Sequence, residues 1–356
     1  MEILNKPSLY ALLLILPSSL LLTGCYEEFD PQIDQDPVLC VNSAIIAGQP
    51  VEVRVTQTWY YSMQYTGNFD RDITVRDAVV ELYADGELME TLKYSDEGGR
   101  LTYRGKYQPQ PGQTIAIEAR SKKFGEAHGE VTVPEIPVVG RMTYDATSTA
   151  SSITEVDDKY IGFKGDVFSL DFALDMTVPI DGGEGTDYYS ISMSVRGGSD
   201  NGWPDSFSLW GFRYDAEPLF SEHISVIESV FGAEPEEYAF FTSRSFAGRT
   251  YPLRLFFNNG SYHAYILPDT DATERGCTVG VSVAAVSQSY YNHVLYSWKI
   301  DNGIAGMLGD VGYAEEMPGY SNVSTRAGVI SARTVVSQEV DLSGFIDEQY
   351  EKALRD

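Results

Sequence analysis

Between residues 38 and 133 the chain breaks into short alternating apolar runs that recur at intervals of roughly ten residues, a spacing few architectures accept. The runs are Val38 to Ile46, Val51-Glu52-Val53-Arg54-Val55, Ala78 to Tyr83, Leu88 to Tyr94, Leu101-Thr102-Tyr103, Ile115 to Ala119 and Gly129 to Val133. Period-two alternation buries one face of a strand and leaves the other in water. The turns agree with that reading. Asp85-Gly86 has the chemistry of a tight hairpin, and Glu97-Gly98-Gly99 and Pro111-Gly112-Gln113 punctuate other joins. Seven short strands in about 100 residues predict an immunoglobulin-like or fibronectin-like β-sandwich over residues 38–133.

Val133-Pro134-Glu135-Ile136-Pro137 ends that region, because two prolines three apart cannot sit in a central strand. Residues 138–356 form a second, larger β-rich region with short helices. Its expected strands are Val138 to Thr147, Phe163 to Val178, Tyr188 to Val195, Tyr251 to Phe257, Tyr262 to Leu267, Thr278 to Ser287 and Gly328 to Val336. Glycine-rich stretches at 181–185 and 197–202 read as long loops. Helices are predicted over Leu219 to Phe231, on a stripe of Ile224, Ile227 and Phe231 ended by Gly232. Two more fall over Gln288 to Ile300, on Tyr291, Leu295 and Trp298, and over Phe345 to Leu354. The predicted fold class is mainly β: a sandwich followed by a larger sandwich-like domain with a few helices.

The first 24 residues read as an export signal. Leu9 to Leu16 is interrupted by Pro17-Ser18-Ser19 and resumes at Leu20 to Leu22, too short and broken for the roughly 20 apolar residues of a spanning helix. Leu22-Thr23-Gly24 then precedes Cys25, the pattern at which a lipoprotein peptidase cuts, so Cys25 is the expected N-terminal residue and lipid carrier. A buried N-terminal helix with a chance cysteine is the rival reading. Residues 25–37 form an acidic tether, and Glu27 and Glu28 resemble the surface-export signal of Bacteroidota lipoproteins. Their plainer reading is a solvated acidic linker.

Processing at that point removes one acid, Glu2, and one base, Lys6, so the net charge stays at -27. Such a surface repels nucleic acid and anionic lipid.

Nucleophile elbows, zinc-binding His pairs and phosphate-binding glycine loops are not found in the sequence, and its four histidines, His128, His223, His263 and His293, are scattered singly. No catalytic residue and no cofactor is therefore expected. Cys40 and Cys277 lack metal spacing; buried thiols are the favoured state, with a bridge between them as the alternative. Asp269, Asp271 and Glu274 have a spacing that places three oxygens around Ca²⁺, but without the glycine and terminal glutamate of an EF-hand loop a solvated acidic turn is favoured. Aromatic clusters are the remaining candidates for ligand binding: Trp59, Tyr60 and Tyr61, with Tyr65 and Phe69 nearby, and Trp203 and Trp210 flanking Pro204. Exposed rings stack on sugars or anchor interfaces, whereas buried ones fill seams.

The order of segments supplies a family resemblance. Cys25 is followed by a sandwich ending at Val133-Pro134, then by Asp187-Tyr188-Tyr189, Ser245-Phe246-Ala247-Gly248-Arg249-Thr250-Tyr251, Tyr290-Tyr291 and Glu316-Met317-Pro318-Gly319-Tyr320-Ser321-Asn322-Val323. Together these resemble the Bacteroidota outer-membrane lipoproteins grouped as domain of unknown function 4249, over nearly the whole mature chain. Ser324-Thr325-Arg326-Ala327-Gly328 departs from the glycine pair on which that family more often turns. The resemblance implies an outer-membrane lipoprotein commonly encoded beside a TonB-dependent receptor, and it offers no catalytic residues to carry over. The likeness of Glu27 and Glu28 to the surface-export signal implies the leaflet facing the medium, and a TonB-dependent receptor is the expected partner. The expected function is thus non-enzymatic binding or accessory work in nutrient capture. A structural or adhesive fimbrillin-like role and a hydrolase are the alternatives.

Overall fold

The alternation read from the sequence becomes alternating burial. In the strand Thr114–Ser121, Ile115, Ile117 and Ala119 have no exposure while Thr114, Ala116, Glu118 and Arg120 remain partly wet. The computed structural model describes residues 36–59, 67–160, 162–185, 187–198, 206–213, 216–230, 239–266, 276–304, 306, 308 and 319–355.

The first seven strands are β1 (Leu39–Ile46), β2 (Glu52–Gln57), β3 (Val79–Ala84), β4 (Glu87–Ser95), β5 (Thr102–Arg104), β6 (Thr114–Ser121) and β7 (Gly125–Thr132). A short helix, α1 (Phe69–Ile73), follows β2. The later strands are β8 (Thr143–Asp158), β9 (Phe163–Asp181), β10 (Tyr188–Gly198), β11 (Ser206–Phe212), β12 (Phe240–Thr242), β13 (Thr250–Ile266), β14 (Gly276–Val286) and β15 (Ile330–Asp341). Helix α2 (Val226–Val230) lies before β12, α3 (Gln288–Asn302) after β14 and α4 (Ser343–Ala353) after β15. The protein is mainly β, with large mixed sheets in a sandwich-like arrangement.

Eleven strands join in the order β12-β10-β14-β15-β1-β2-β5-β4-β3-β6-β7, and four in the order β11-β13-β9-β8. The joint between early and late strands is β1 beside β15, in parallel, with Ser43 opposite Ile330 and Ile46 opposite Arg333. Among the described residues all other strand pairs are antiparallel. Pro37–Asp356 forms one compact unit.

Three apolar layers organise it. The largest lies between the four-stranded sheet and the β10-β14 part of the long one, where Phe168, Phe172, Leu174 and Leu255 meet Ile191, Val279, Val281 and Val283, closed by Ile346 of α4. The early strands enclose Leu39, Val53, Leu82, Ile115 and Ile117, and this core is completed by Val323, Ile330 and Ala332 from nearly two hundred positions later. On the other face of β14, Tyr291 and Trp298 of α3 pack on Ala284, Val286 and Phe240.

Several segments differ from expectation. The expected strands Tyr251 to Phe257 and Tyr262 to Leu267 fall, as far as Ile266, in one strand, β13, whose register shifts between Phe257 and Gly260; Leu267 lies outside the described residues. The strand expected from Val138 begins at Thr143 and runs on to Asp158. The helix expected over Leu219 to Phe231 is a 3₁₀ turn at Pro218–Ser221 followed by α2, and Ile227, assigned to its buried stripe, is 62% exposed. Phe231 and Gly232 lie outside the described residues. Among the described residues neither Cys40 nor Cys277 is in a disulfide; Cys277 is buried in β14 and Cys40 half-buried in β1.

Candidate functional site

A cleft of about 390 Å³ opens where three distant segments converge. One wall is the connection leaving β7, Pro134 to Val138; another is the end of β9 and the loop after it, with Asp181, Gly183 and Asp187. Tyr188 and Tyr189 at the start of β10, with Ala285 and Val286 at the end of β14, form the floor. The volume falls within the roughly 300–1,000 Å³ of small-molecule sites.

Backbone pairing fixes these walls. Val138 O accepts from Asp181 N at 3.0 Å and Pro179 O from Gly140 N at 2.8 Å, so the proline connection is laced to the end of β9. Thr334 Oγ1 donates to Glu135 O at 2.8 Å, tying the same connection to β15. Tyr188 lies opposite both Thr242 of β12 and Val286 of β14, which sets the floor strands in register.

The β9-β10 loop is shaped by its own side chains. Asp181 Oδ1 accepts from Gly183 N at 3.2 Å. Gly183 has φ +56°, and a Cβ there would lie 2.7 Å from Asp187 Oδ2, so glycine lets that carboxylate close over the loop. The wholly buried Ser243 accepts from Asp187 N at 2.8 Å and donates to Gly185 O at 3.2 Å.

Chemically the cleft is apolar below and acidic above. Ile136 and Val138 are 59% and 66% exposed. Tyr188 rests against Tyr291 at 4.9 Å between ring centroids, and Tyr189 against Phe241 at 5.4 Å. Tyr189 donates its hydroxyl to Asp181 O at 3.1 Å. Burial first, then the charges of Asp187 and Asp181, push its phenol well above the usual tyrosine range, so it works as a donor and not as a base. Among the described residues of the lining the charged ones are Glu135, Asp181 and Asp187, all negative. They form no metal-ligating cluster among the described residues.

Of the residues singled out from sequence, Trp59 is half-buried beyond the end of β2 and meets Phe69 edge-on at 5.5 Å. Trp210 is 67% exposed on β11, at the edge of the four-stranded sheet, opposite Asn259. The two indoles therefore belong to different parts of the fold, Trp59 following a strand of the long sheet and Trp210 lying in the four-stranded one. Cys25, Tyr60, Tyr61, Tyr65, Trp203, Asp269, Asp271 and Glu274 lie outside the described residues. His263 sits on β13, opposite Ser206 and Ser169. The two halves of the cleft were visible as sequence, as the proline seam and as Asp187-Tyr188-Tyr189, but nothing in the order of residues says that they meet.

No family model and no curated protein matches the chain. Among solved structures it is similar to a crystal structure of Parabacteroides merdae beta-glucuronidase with glycerol in the active site, at 12% identity over 69% of this chain and with a TM-score of 0.18. The chain spans 23% of that protein's length. A likeness of that degree carries no inference about activity.

Proposed function

We propose that this protein is a surface lipoprotein held in the outer membrane by lipid on Cys25, a non-enzymatic binding or accessory component that works beside a TonB-dependent receptor in nutrient capture. The observation that carries the binding role is the cleft, whose walls are strand ends fixed by backbone pairing and where exposed aliphatic residues, a half-buried tyrosine and acidic residues line one volume. Preformed concavities of this kind bind without paying to order their walls. The membrane role rests on the Leu22-Thr23-Gly24-Cys25 sequence and on the family resemblance. The lipid then keeps an acidic binding body close to a membrane partner, raising its effective concentration there.

Labelling with a fatty acid and fractionation test the anchor. The wild-type chain takes up label, sediments with outer membranes and is cut by protease added to intact cells. Cys25→Ala loses the label and leaves the membrane fraction while keeping its thermal stability. Label or membrane retention in Cys25→Ala overturns the anchor, and protection from protease overturns the outward orientation.

A further inference from the structure

We propose that the cleft between the Pro134 to Val138 connection and the β9-β10 loop binds a small organic cation, an ammonium group carried on an apolar body. The inference deepens the binding role proposed above and rests on it. Three features of the lining select that chemistry. The described lining carries carboxylates from Asp181, Asp187 and Glu135 with no basic side chain to neutralise them, so an anion entering it meets only like charge. Tyr188, half-buried in the floor, brings an electron-rich ring of the kind on which ammonium groups are held in other binding sites, while Tyr189 beside it is buried. Ile136 and Val138 stand exposed at the same opening, where an apolar body attached to the cation removes them from water.

The carboxylates gain leverage from their setting. On either side of Gly183, the Asp181 carboxylate is held by Gly183 N and the backbone of Asp187 by Ser243, so the loop that carries both charges is already shaped. The net charge of the whole chain, -27, draws cations toward the surface and repels anions. A strongly hydrated metal ion does not use the aliphatic floor, whereas an organic amine uses both halves of the cleft.

Calorimetric titration of the full chain tests this. The probes are phenethylamine, n-butylamine and agmatine, beside 3-phenylpropanoate and 2-phenylethanol as anionic and neutral counterparts. At least one amine is expected to saturate, with its anionic counterpart silent, and Asp181→Asn/Asp187→Asn is expected to weaken that amine by about tenfold or more. Glu155→Gln, on the outer edge strand, serves as the control and leaves binding unchanged. If the double variant does not fold, as read by thermal unfolding, Glu135→Gln and Ile136→Asn replace it; the first is expected to weaken the amine through lost charge and the second through lost apolar contact with its body. The proposal is overturned if no amine saturates up to about 10 mM, if the acid binds as well as the amine, or if the cleft variants bind like the wild type. Because the titration uses neither lipid nor a membrane partner, its failure leaves the anchored accessory role standing, and failure of the anchor leaves this ligand class standing.

Discussion

Asn322 and Ile330 exchange a matched pair of hydrogen bonds: Asn322 Nδ2 donates to Ile330 O at 2.9 Å, and Ile330 N donates to Asn322 Oδ1 at 2.9 Å. The side-chain amide thus acts as one more rung of the sheet. Its Nδ2 also reaches Glu130 O of β7 at 3.1 Å, and Val323 bridges Gly129 of the same strand. A segment close to the end of the chain therefore closes the early core, where Val323 and Ile330 are buried.

Asn322→Ala is expected to lower stability by about 1–3 kcal/mol, since it strips donors and an acceptor from partly buried backbone groups. Asn322→Asp, which keeps the shape but offers no donor to either carbonyl, falls at least as far. Thermal unfolding of the two variants checks the prediction, and an unchanged midpoint in either would contradict it.

Gly328 has φ +96°, and a Cβ there would stand 2.2 Å from Val41 O in the neighbouring strand. Gly328→Ala is expected to unfold or to lose several kcal/mol, because both backbone strain and a clash with main chain oppose it. Gly344→Ala in α4, where nothing lies within 4 Å, is expected to be neutral or to gain up to about 1 kcal/mol from helix propensity. Comparing the soluble yields and unfolding midpoints of the two variants decides it.

The local elements were legible wherever one residue in two met the core. Each of the seven early runs is a strand because its alternation leaves no other way to bury Val53, Leu82 or Ile117. Reading failed where another contact set the pattern. Asn258-Asn259-Gly260 looks like a turn, yet it is a bulge inside β13, and Gly260 is there because a Cβ would lie 2.6 Å from the ring of Phe172. The outer half of β8 is Ser- and Thr-rich and mostly exposed, as suits an edge strand, so it carries no apolar alternation to read. The start of α2 did have a signal, a capping box in which Ser225 Oγ accepts from Glu228 N and Glu228 Oε2 accepts from Ser225 N. The cleft was not legible, because its walls come from residues 134–138, 181–189 and 285–286 and pairing across such gaps leaves no local trace.

Glu217 is a buried carboxylate met only by donors: Tyr251 hydroxyl at 2.7 Å, Arg254 N at 2.9 Å and Leu219 N at 3.2 Å. It caps the Pro218–Ser221 turn and fastens it to β13. Glu217→Gln places an amide donor against one of these donors and is expected to cost about 1–3 kcal/mol. Tyr251→Phe removes a single donor and costs less. In a double-mutant cycle the two losses combine sub-additively, whereas simple additivity would show that the pair does not interact.

His223 lies between Phe240 and Trp298, each 4.6 Å away between ring centroids, and both its nitrogens are buried without a hydrogen-bond partner among the described residues. Burial chiefly, with Lys299 adding and Glu228 opposing, brings its pKa down to about 4 from 6.5. Between those values the unfolded chain binds a proton that the folded chain refuses. Stability from this group is therefore intact above about pH 6.5, falls as pH drops toward 4 and then levels, with a total of at most about 3 kcal/mol. Urea unfolding of His223→Leu beside the wild type is expected to show the variant gaining relative stability from pH 7 to pH 4. A constant difference across that range would refute it.

An anchored accessory role requires a membrane partner. Isolating the lipidated chain from outer membranes in mild detergent, followed by identification of what accompanies it, measures this directly. A TonB-dependent β-barrel receptor is predicted to come with it in stoichiometric amount. Recovery of the chain without a barrel, or as ladders of its own polymer, would contradict the receptor role and favour a structural one.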